Sequence, residues 1–169
     1  LEKPVGICEE DIESLCKWEG KEKVPTVVSF PLRTTALIRE TRRLISEGVI
    51  GKIDHVQAYN DVGYGFVYFH DWYRDEGKAH GLFLQKATHD IDVINYLTGE
   101  KPIQVCAMKS KQIFRGDMPS GLRCSQCDRI RDCMESTYHI EKTRNDTPRG
   151  DYCCYAKDTG NEDSGSMIV

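Results

Sequence analysis

Gln85, His89 and Asp92 recur at spacings of four and three residues, which on an α-helix stacks an amide, an imidazole and a carboxylate along one face. Such a stripe can hold, orient and move a proton. Leu84, Ala87, Ile91 and Ile94 fall on the opposite side of the same stretch and can pack into a core, so the polar stripe is expected to face a cavity or solvent. Imidazole titrates nearest to neutral pH, which makes His89 the candidate general base. Lys86 stands three residues before His89 and four before Asp90. Its ammonium either approaches the imidazole and lowers its basicity or pairs with Asp90 as a structural link, and the spacing permits both.

A second group with chemistry is Cys124-Ser125-Gln126-Cys127, followed by Cys133 and later by Cys153-Cys154. Two cysteines separated by two residues can converge on one ion, and two more complete a tetrahedral thiolate set. Zinc held by Cys124, Cys127, Cys133 and one of Cys153 and Cys154, with His139 as a substitute ligand, is the expectation. A disulfide, an iron–sulfur cluster and free thiols are the competing readings. The residues between, among them Arg115, Gly116, Asp117, Pro119, Gly121, Arg144, Asn145, Asp146, Pro148 and Gly150, make a polar, loop-rich segment that buries little and would gain from a metal staple. Cys8, Cys16 and Cys106 are expected as small core residues.

The run from Tyr64 to Asp75 is unusually aromatic. Flat rings such as Trp72 stack on the apolar faces of sugars, and His70, Asp71 and Arg74 can satisfy hydroxyls, which makes the run a candidate substrate wall. The competing role is to anchor a long loop on the core.

The chain opens with Glu2-Lys3-Pro4. Together with the His89 helix this resembles the Gfo/Idh/MocA oxidoreductases, which act on sugars and inositols with a bound nicotinamide dinucleotide. In that family a Glu-Lys-Pro tripeptide near the end of the cofactor domain supplies an active-site lysine, and a later helix with an Asp-x-x-x-His-x-x-Asp pattern supplies the base. Ser29-Phe30-Pro31-Leu32-Arg33 looks like the family's first strand after the cofactor domain, and Leu44 to Ile53 like its helix exit and the turn into the next strand. The resemblance covers most of residues 1 to 114.

The resemblance implies hydride transfer between a carbinol carbon of a sugar, inositol or similar polyol and NAD or NADP. His89 would take the hydroxyl proton, and Lys3 would hydrogen-bond the same hydroxyl and stabilise its alkoxide character. Glu2 and Lys3 would lie beside the cofactor, Asp92 would either orient the imidazole or hydrogen-bond a neighbouring loop, and Arg33 would join His70, Trp72 and Arg74 at the substrate. Gln85 departs from the pattern, since many members carry an aspartate there; glutamine can orient an imidazole but brings no charge. Some relatives use a retained dinucleotide for hydrolysis or isomerisation. The implied fold is α+β, with helices packed on an open, mostly antiparallel sheet of the Gfo/Idh and dihydrodipicolinate-reductase type. Residues 1–24 would end the dinucleotide-binding domain and 25–169 would form the substrate and catalytic domain, with 115–158 a Cys-rich insertion. A cytoplasmic homo-oligomer joined through the sheet is the expected state.

Composition is compatible with this. The chain has 169 residues and a net charge of -4, without the basic patch of a nucleic-acid surface or an apolar run long enough to span a bilayer. The alternative class is a non-catalytic, metal-stapled interaction domain in which the His89 face is merely polar.

Periodicity places helices over Glu9 to Trp18, with Ile12, Leu15 and Cys16 inward and Gly20 just beyond, and over Thr34 to Glu47, with Leu37, Ile38, Thr41, Leu44 and Ile45 inward. Strands are expected at Pro25 to Phe30, His55 to Val62 and Pro102 to Phe114, a long loop at Gly63 to His80, and a strand just starting at Gly165 to Val169. No Gly-x-Gly-x-x-Gly occurs, and Gly63-Tyr64-Gly65 lacks the third glycine and reads as a loop. The start without methionine and the closing strand suggest a piece of a longer protein that lacks its dinucleotide-binding start.

Without a turn whose backbone N–H groups approach a pyrophosphate, this chain by itself is expected to bind neither NAD nor NADP appreciably. Calorimetry on these 169 residues checks this, and micromolar affinity would contradict it.

Overall fold

The computed structural model describes every residue except Lys23, Val24 and Arg144 to Asp146. The end of the 1–24 segment and three of the polar insertion residues, Arg144, Asn145 and Asp146, therefore lie outside the described residues. In chain order the helices are α1 (Glu9–Glu22), α2 (Ala36–Ser46), α3 (Val67–His70), α4 (Glu76–Ala79), α5 (Thr88–Thr98) and α6 (Thr137–Thr143). The strands are β1 (Cys106–Ser110) and β2 (Ser164–Ile168). Short 3-10 turns lie at Pro31–Thr34, Trp72–Arg74 and Cys124–Gln126, and one π-helical turn, Phe83–Ala87, runs into α5. The class is α+β.

Two compact units emerge, and each has its own interior. Residues 1–60 and 83–105 form most of the first unit; residues 61–82 and 106–168 form the second. In the first, α2 packs on α5, and the Pro31–Thr34 turn packs on both. The Thr35 hydroxyl caps α2 by accepting from Ile38 N, which satisfies one of the free donors of a helix start. α2 ends before Gly48, near the expected boundary, and Ile38, Thr41, Leu44 and Ile45 are half-buried. Leu37 is 76% exposed and falls off the buried stripe. α5 stops at Gly99, whose φ of 77° is the left-handed conformation that closes a helix cheaply only with glycine.

Several expected elements differ. Pro25 to Phe30 is extended but unpaired as a strand; Leu1 N donates to the Val27 carbonyl and Ser29 N to the Leu1 carbonyl, each at 2.8 Å. His55 to Val62 forms no strand either. α1 runs through Gly20 instead of stopping before it, with Ile12 and Cys16 exposed. Cys8 and Cys106 are exposed as well, so none of these three cysteines is a core residue. For Cys106 the reason is topological: among the described residues β1 pairs only with β2, antiparallel from Cys106 opposite Ile168 to Ser110 opposite Ser164, and four of the five β1 residues are exposed.

The second unit replaces the expected long loop with short helical turns. Phe66, Phe69 and Ala79 are buried there, together with Ile140 and Ala156. Its most organised group is polar. Arg74, only 4% exposed, reaches both Asp158 oxygens at 2.9 and 3.1 Å, the Thr159 hydroxyl at 2.8 Å and the Cys153 carbonyl at 3.3 Å, under the Tyr152 ring at 4.8 Å. Asn161 donates to the Tyr68 and Tyr73 carbonyls, Glu162 accepts from Leu82 N, and Asp163 accepts from the backbone of Gln112, Ile113 and Phe114.

Removing the Arg74 guanidinium would strip donors from three acceptors, so Arg74→Ala is expected to cost about 3 kcal/mol of stability. Urea unfolding followed by circular dichroism measures this. Arg43, whose pairs with Glu40 and Glu47 stand in water, serves as the control, and Arg43→Ala should leave the midpoint unmoved.

Candidate functional site

In the first unit the π-helical turn Phe83–Ala87 delivers Gln85 and Lys86 directly ahead of α5. Such turns shift the register of the side chains that follow and recur at functional sites. His89 occupies the first turn of α5, and Asp92 lies one turn further on. Three segments distant in sequence converge here: the chain start with Lys3, the turn after Phe30 with Arg33, and α5 itself.

Lys3 is half-buried, and its ammonium donates to the backbone carbonyl of Gln85. This fixes the chain start on the π-helical turn. Burial lowers the basicity of Lys3, nearby Lys86 lowers it further, and Glu2 opposes both. Glu2 itself is exposed. Lys86 stands 3.6 Å from Asp90, and Asp90 also accepts from the Asn60 amide at 2.7 Å. Of the two roles open to Lys86, the pairing with Asp90 is thus formed, while its charge still acts on His89.

The His89 imidazole is less basic than an ordinary histidine, because it is partly removed from water and because Lys3 and Lys86 repel its protonated form; Asp90 and Asp92 oppose this. The ring is therefore neutral at neutral pH, the state a base requires. Its Nδ1 is buried without a hydrogen-bond partner among the described residues. Phe30 meets the ring edge-on, with centroids 6.0 Å apart.

Asp92 is 8% exposed, and both its oxygens are held by Arg33, with Nε at 2.8 Å and Nη2 at 2.5 Å. The hydrogen bonds from Arg33 to Asp92 raise the basicity of the guanidinium. This fork occupies the carboxylate expected to orient His89 and engages Nε and Nη2 of Arg33, whose side chain stays 44% exposed. The polar stripe of α5 is accordingly not an open face, since Asp92 is the most buried residue of the helix.

The aromatic run belongs to the second unit. His70 is 1% exposed, and its Nδ1 donates to the Tyr152 carbonyl at 2.6 Å; burial is the main cause of its lowered basicity. Arg74 is sequestered in the pair with Asp158. Neither presents a polar group to solvent in the way a substrate wall requires. Trp72 is 46% exposed and stacked on Tyr73 with centroids 3.9 Å apart, and it keeps an open face.

The cysteines expected at a metal lie in the same second unit. A bridge between Arg123 and Tyr152 sets two segments side by side, with Cys124 N donating to the Asp151 carbonyl at 2.7 Å and Cys153 N to the Leu122 carbonyl at 2.8 Å. Cys124, Cys153 and Cys154 are buried, and Cys127 and Cys133 half-buried. Burial first, and then neighbouring thiols, push the Cys124, Cys153 and Cys154 thiols up and hold them protonated. Among the described residues no group of three or more histidine, cysteine, aspartate or glutamate side chains is arranged to hold a metal ion, so the expected tetrahedral set is not formed. His139 is turned away to the Arg131 carbonyl, to which its Nε2 donates at 2.7 Å.

Sequence reasoning missed Phe30, Asn60 and the polar residues Asp158 to Asp163. Phe30 was visible only as the apolar residue before a proline. The run after Cys154 carries turn-forming residues and no periodicity that would mark it as interior.

Among the described residues no helix is long and apolar enough to cross a membrane. Residues 38–168 match the model of the GFO/IDH/MocA C-terminal domain. A Bacillus subtilis (strain 168) protein designated as an oxidoreductase, YteT, is 31% identical over 118 residues, which is 69% of this chain and 28% of that protein. The crystal structure of myo-inositol 2-dehydrogenase from Lactobacillus plantarum superposes with a TM-score of 0.55 at 27% identity, over 64% of this chain and 32% of that one. A Sinorhizobium meliloti 1021 protein assigned as a myo-inositol dehydrogenase has the same fold, with a TM-score of 0.56 at 20% identity, over 99% of this chain and 37% of that one. The chain thus spans about a third of the length of the relatives it matches. With a family model covering most of its length and an α5 that carries His89 beside Lys3, this chain belongs to the Gfo/Idh/MocA family and corresponds to its C-terminal domain.

Proposed function

We propose that the chain is the substrate-side and proton-transfer part of a nicotinamide-dependent oxidoreductase acting on a polyol of the inositol or sugar class. The observation that carries this reading is the neutral His89 imidazole flanked by the Lys3 and Lys86 ammonium groups on a single unit. The myo-inositol 2-dehydrogenase among the similar structures supports the substrate class.

A bound NAD or NADP supplies the hydride acceptor in such chemistry. Its phosphates have no cradle among the described residues: the first turn of α1 carries Glu9, Glu10 and Asp11, a repulsive end for a pyrophosphate. The residues assigned below act on the substrate. The carbinol O–H gives its proton to His89 as the C–H bond gives up its hydride, and the carbon is oxidised to a carbonyl. Lys3, as a cation beside the reacting oxygen, stabilises the alkoxide character that builds up. Lys86 adds positive potential and helps keep the resting imidazole unprotonated, while Asp90 holds its ammonium in place. Gln85 contributes its backbone carbonyl as the anchor for Lys3.

In the intact protein, reduced nicotinamide formed from myo-inositol and related polyols reads the activity. His89→Ala is expected to lower turnover by roughly a hundredfold or more with a smaller effect on substrate binding. Near-normal turnover would assign the proton to Lys3 or Lys86 instead. The pH dependence has a definite sign. A histidine held below its ordinary value of 6.5 stays neutral further into acid, so turnover should rise with pH through an apparent pKa below 6.5 and level off above it.

One further point belongs to the same reading. The open edges of the two-stranded β1–β2 ribbon are suited to association of copies, and light scattering measures the oligomeric state.

A further inference from the structure

The imidazole of His89 is held by packing at a point where hydrogen bonding usually does the work. Its Nδ1 is buried, and no group among the described residues pairs with it. The terminal torsion of a histidine is broad, so something else must select the plane of the ring. Phe30 is the neighbour in position to do so, T-shaped to His89 with an interplanar angle of 89°. Phe30 in turn lies against the Arg33 guanidinium, 5.5 Å from its carbon, and the same guanidinium lies 5.1 Å from the Tyr96 ring. Both Asp92 oxygens grip that guanidinium, and Asp92 is one turn beyond His89 on α5. The path closes on itself: α5 carries Asp92, Asp92 holds Arg33, Arg33 covers Phe30, and Phe30 meets the ring that α5 carries.

We propose that Arg33 and Asp92 are positioning residues for His89, acting through Phe30, whose ring fixes the plane and depth of the imidazole. This rests on the reading of His89 as the base and deepens it. A bidentate guanidinium–carboxylate pair fixes direction as well as distance, which a single charge does not. Phe30 is thereby kept against His89 and keeps water off it. Lys3, Lys86, Asp90 and Asp92 are the charged groups that act on the ring, the two lysines against its protonation and the two aspartates for it.

The two ways in which Asp92 could influence His89 differ in sign. As a nearby negative charge, Asp92 favours the protonated ring, so its removal would lower the His89 pKa. As part of a clamp, its loss loosens Phe30, admits water to the ring and raises the pKa. NMR titration of the intact protein labelled on its histidine rings separates the two, and no substrate is required. In Asp92→Asn the His89 pKa is expected to rise by about half a unit or more. Arg33→Lys keeps the charge but loses the fork, and Phe30→Leu leaves the ion pair untouched; both are expected to shift the titration in the same direction. An unchanged or lowered value in Asp92→Asn, or an unmoved one in Phe30→Leu, overturns the proposal. Phe30→Leu decides the matter if Asp92→Asn fails to fold. The reading of His89 as the base fails separately, through retained turnover in His89→Ala, which this titration does not touch.

Discussion

A carboxylate taken out of water keeps its charge only where an opposite charge or several donors meet it, and Asp92 is answered by a single guanidinium that fills both its oxygens. That requirement organises the first unit. It binds α5 to the turn at Pro31–Thr34, and the rings of Phe30 and Tyr96 close over the guanidinium that makes the link. With few apolar side chains fully buried in this unit, the packing of α2 against α5 is completed by such polar links, including Arg42, whose Nη1 donates to the Leu97 carbonyl at 2.6 Å. A neutral pair of similar volume could pack as tightly but would not set the angle of approach as a planar fork does.

The second unit meets the same constraint with opposite charge at the centre. Arg74 is the buried ion there, and Asp158, Thr159 and the Cys153 carbonyl surround it. Asn161, Glu162 and Asp163 then tie three other segments to the same stretch of chain. A short polar run thus does for this unit what an apolar strand does in a larger core. The protonated thiols of Cys124, Cys153 and Cys154 behave as small, weakly polar packing groups beside it.

Around His89 the balance of charges trades basicity against readiness. Partial burial and two ammonium groups keep the ring neutral near neutral pH, the state the proposed base needs, and make it a weaker proton acceptor. The pairing of Lys86 with Asp90 moderates this by neutralising part of the local positive potential. Lys3 reaches the site because it is anchored to a backbone carbonyl, a contact indifferent to the side chain at residue 85. The neutral glutamine at that position is therefore compatible with the placement of the lysine.

The sequence by itself determined that α2 and α5 are helices, because helical periodicity is a local signal that needs no partner. It also determined the family, since Glu2-Lys3-Pro4 and the His89 helix keep their order and spacing whatever the surroundings. Only the tertiary structure decided which polar residues turn inward. His70 and Arg74 read as sugar-binding groups on an aromatic loop and are instead interior, because a histidine or arginine shows nothing in its spacing about whether a carbonyl waits 82 residues away or a carboxylate 84. Asp92 read equally as the partner of the histidine one turn before it or of a neighbouring loop, and the second role is the one formed, with Arg33, 59 residues earlier in the chain. The strands expected at Pro25 and His55 failed for the same reason in reverse: a β-strand exists only where another supplies its hydrogen bonds, and that pairing is a property of the fold, not of the segment.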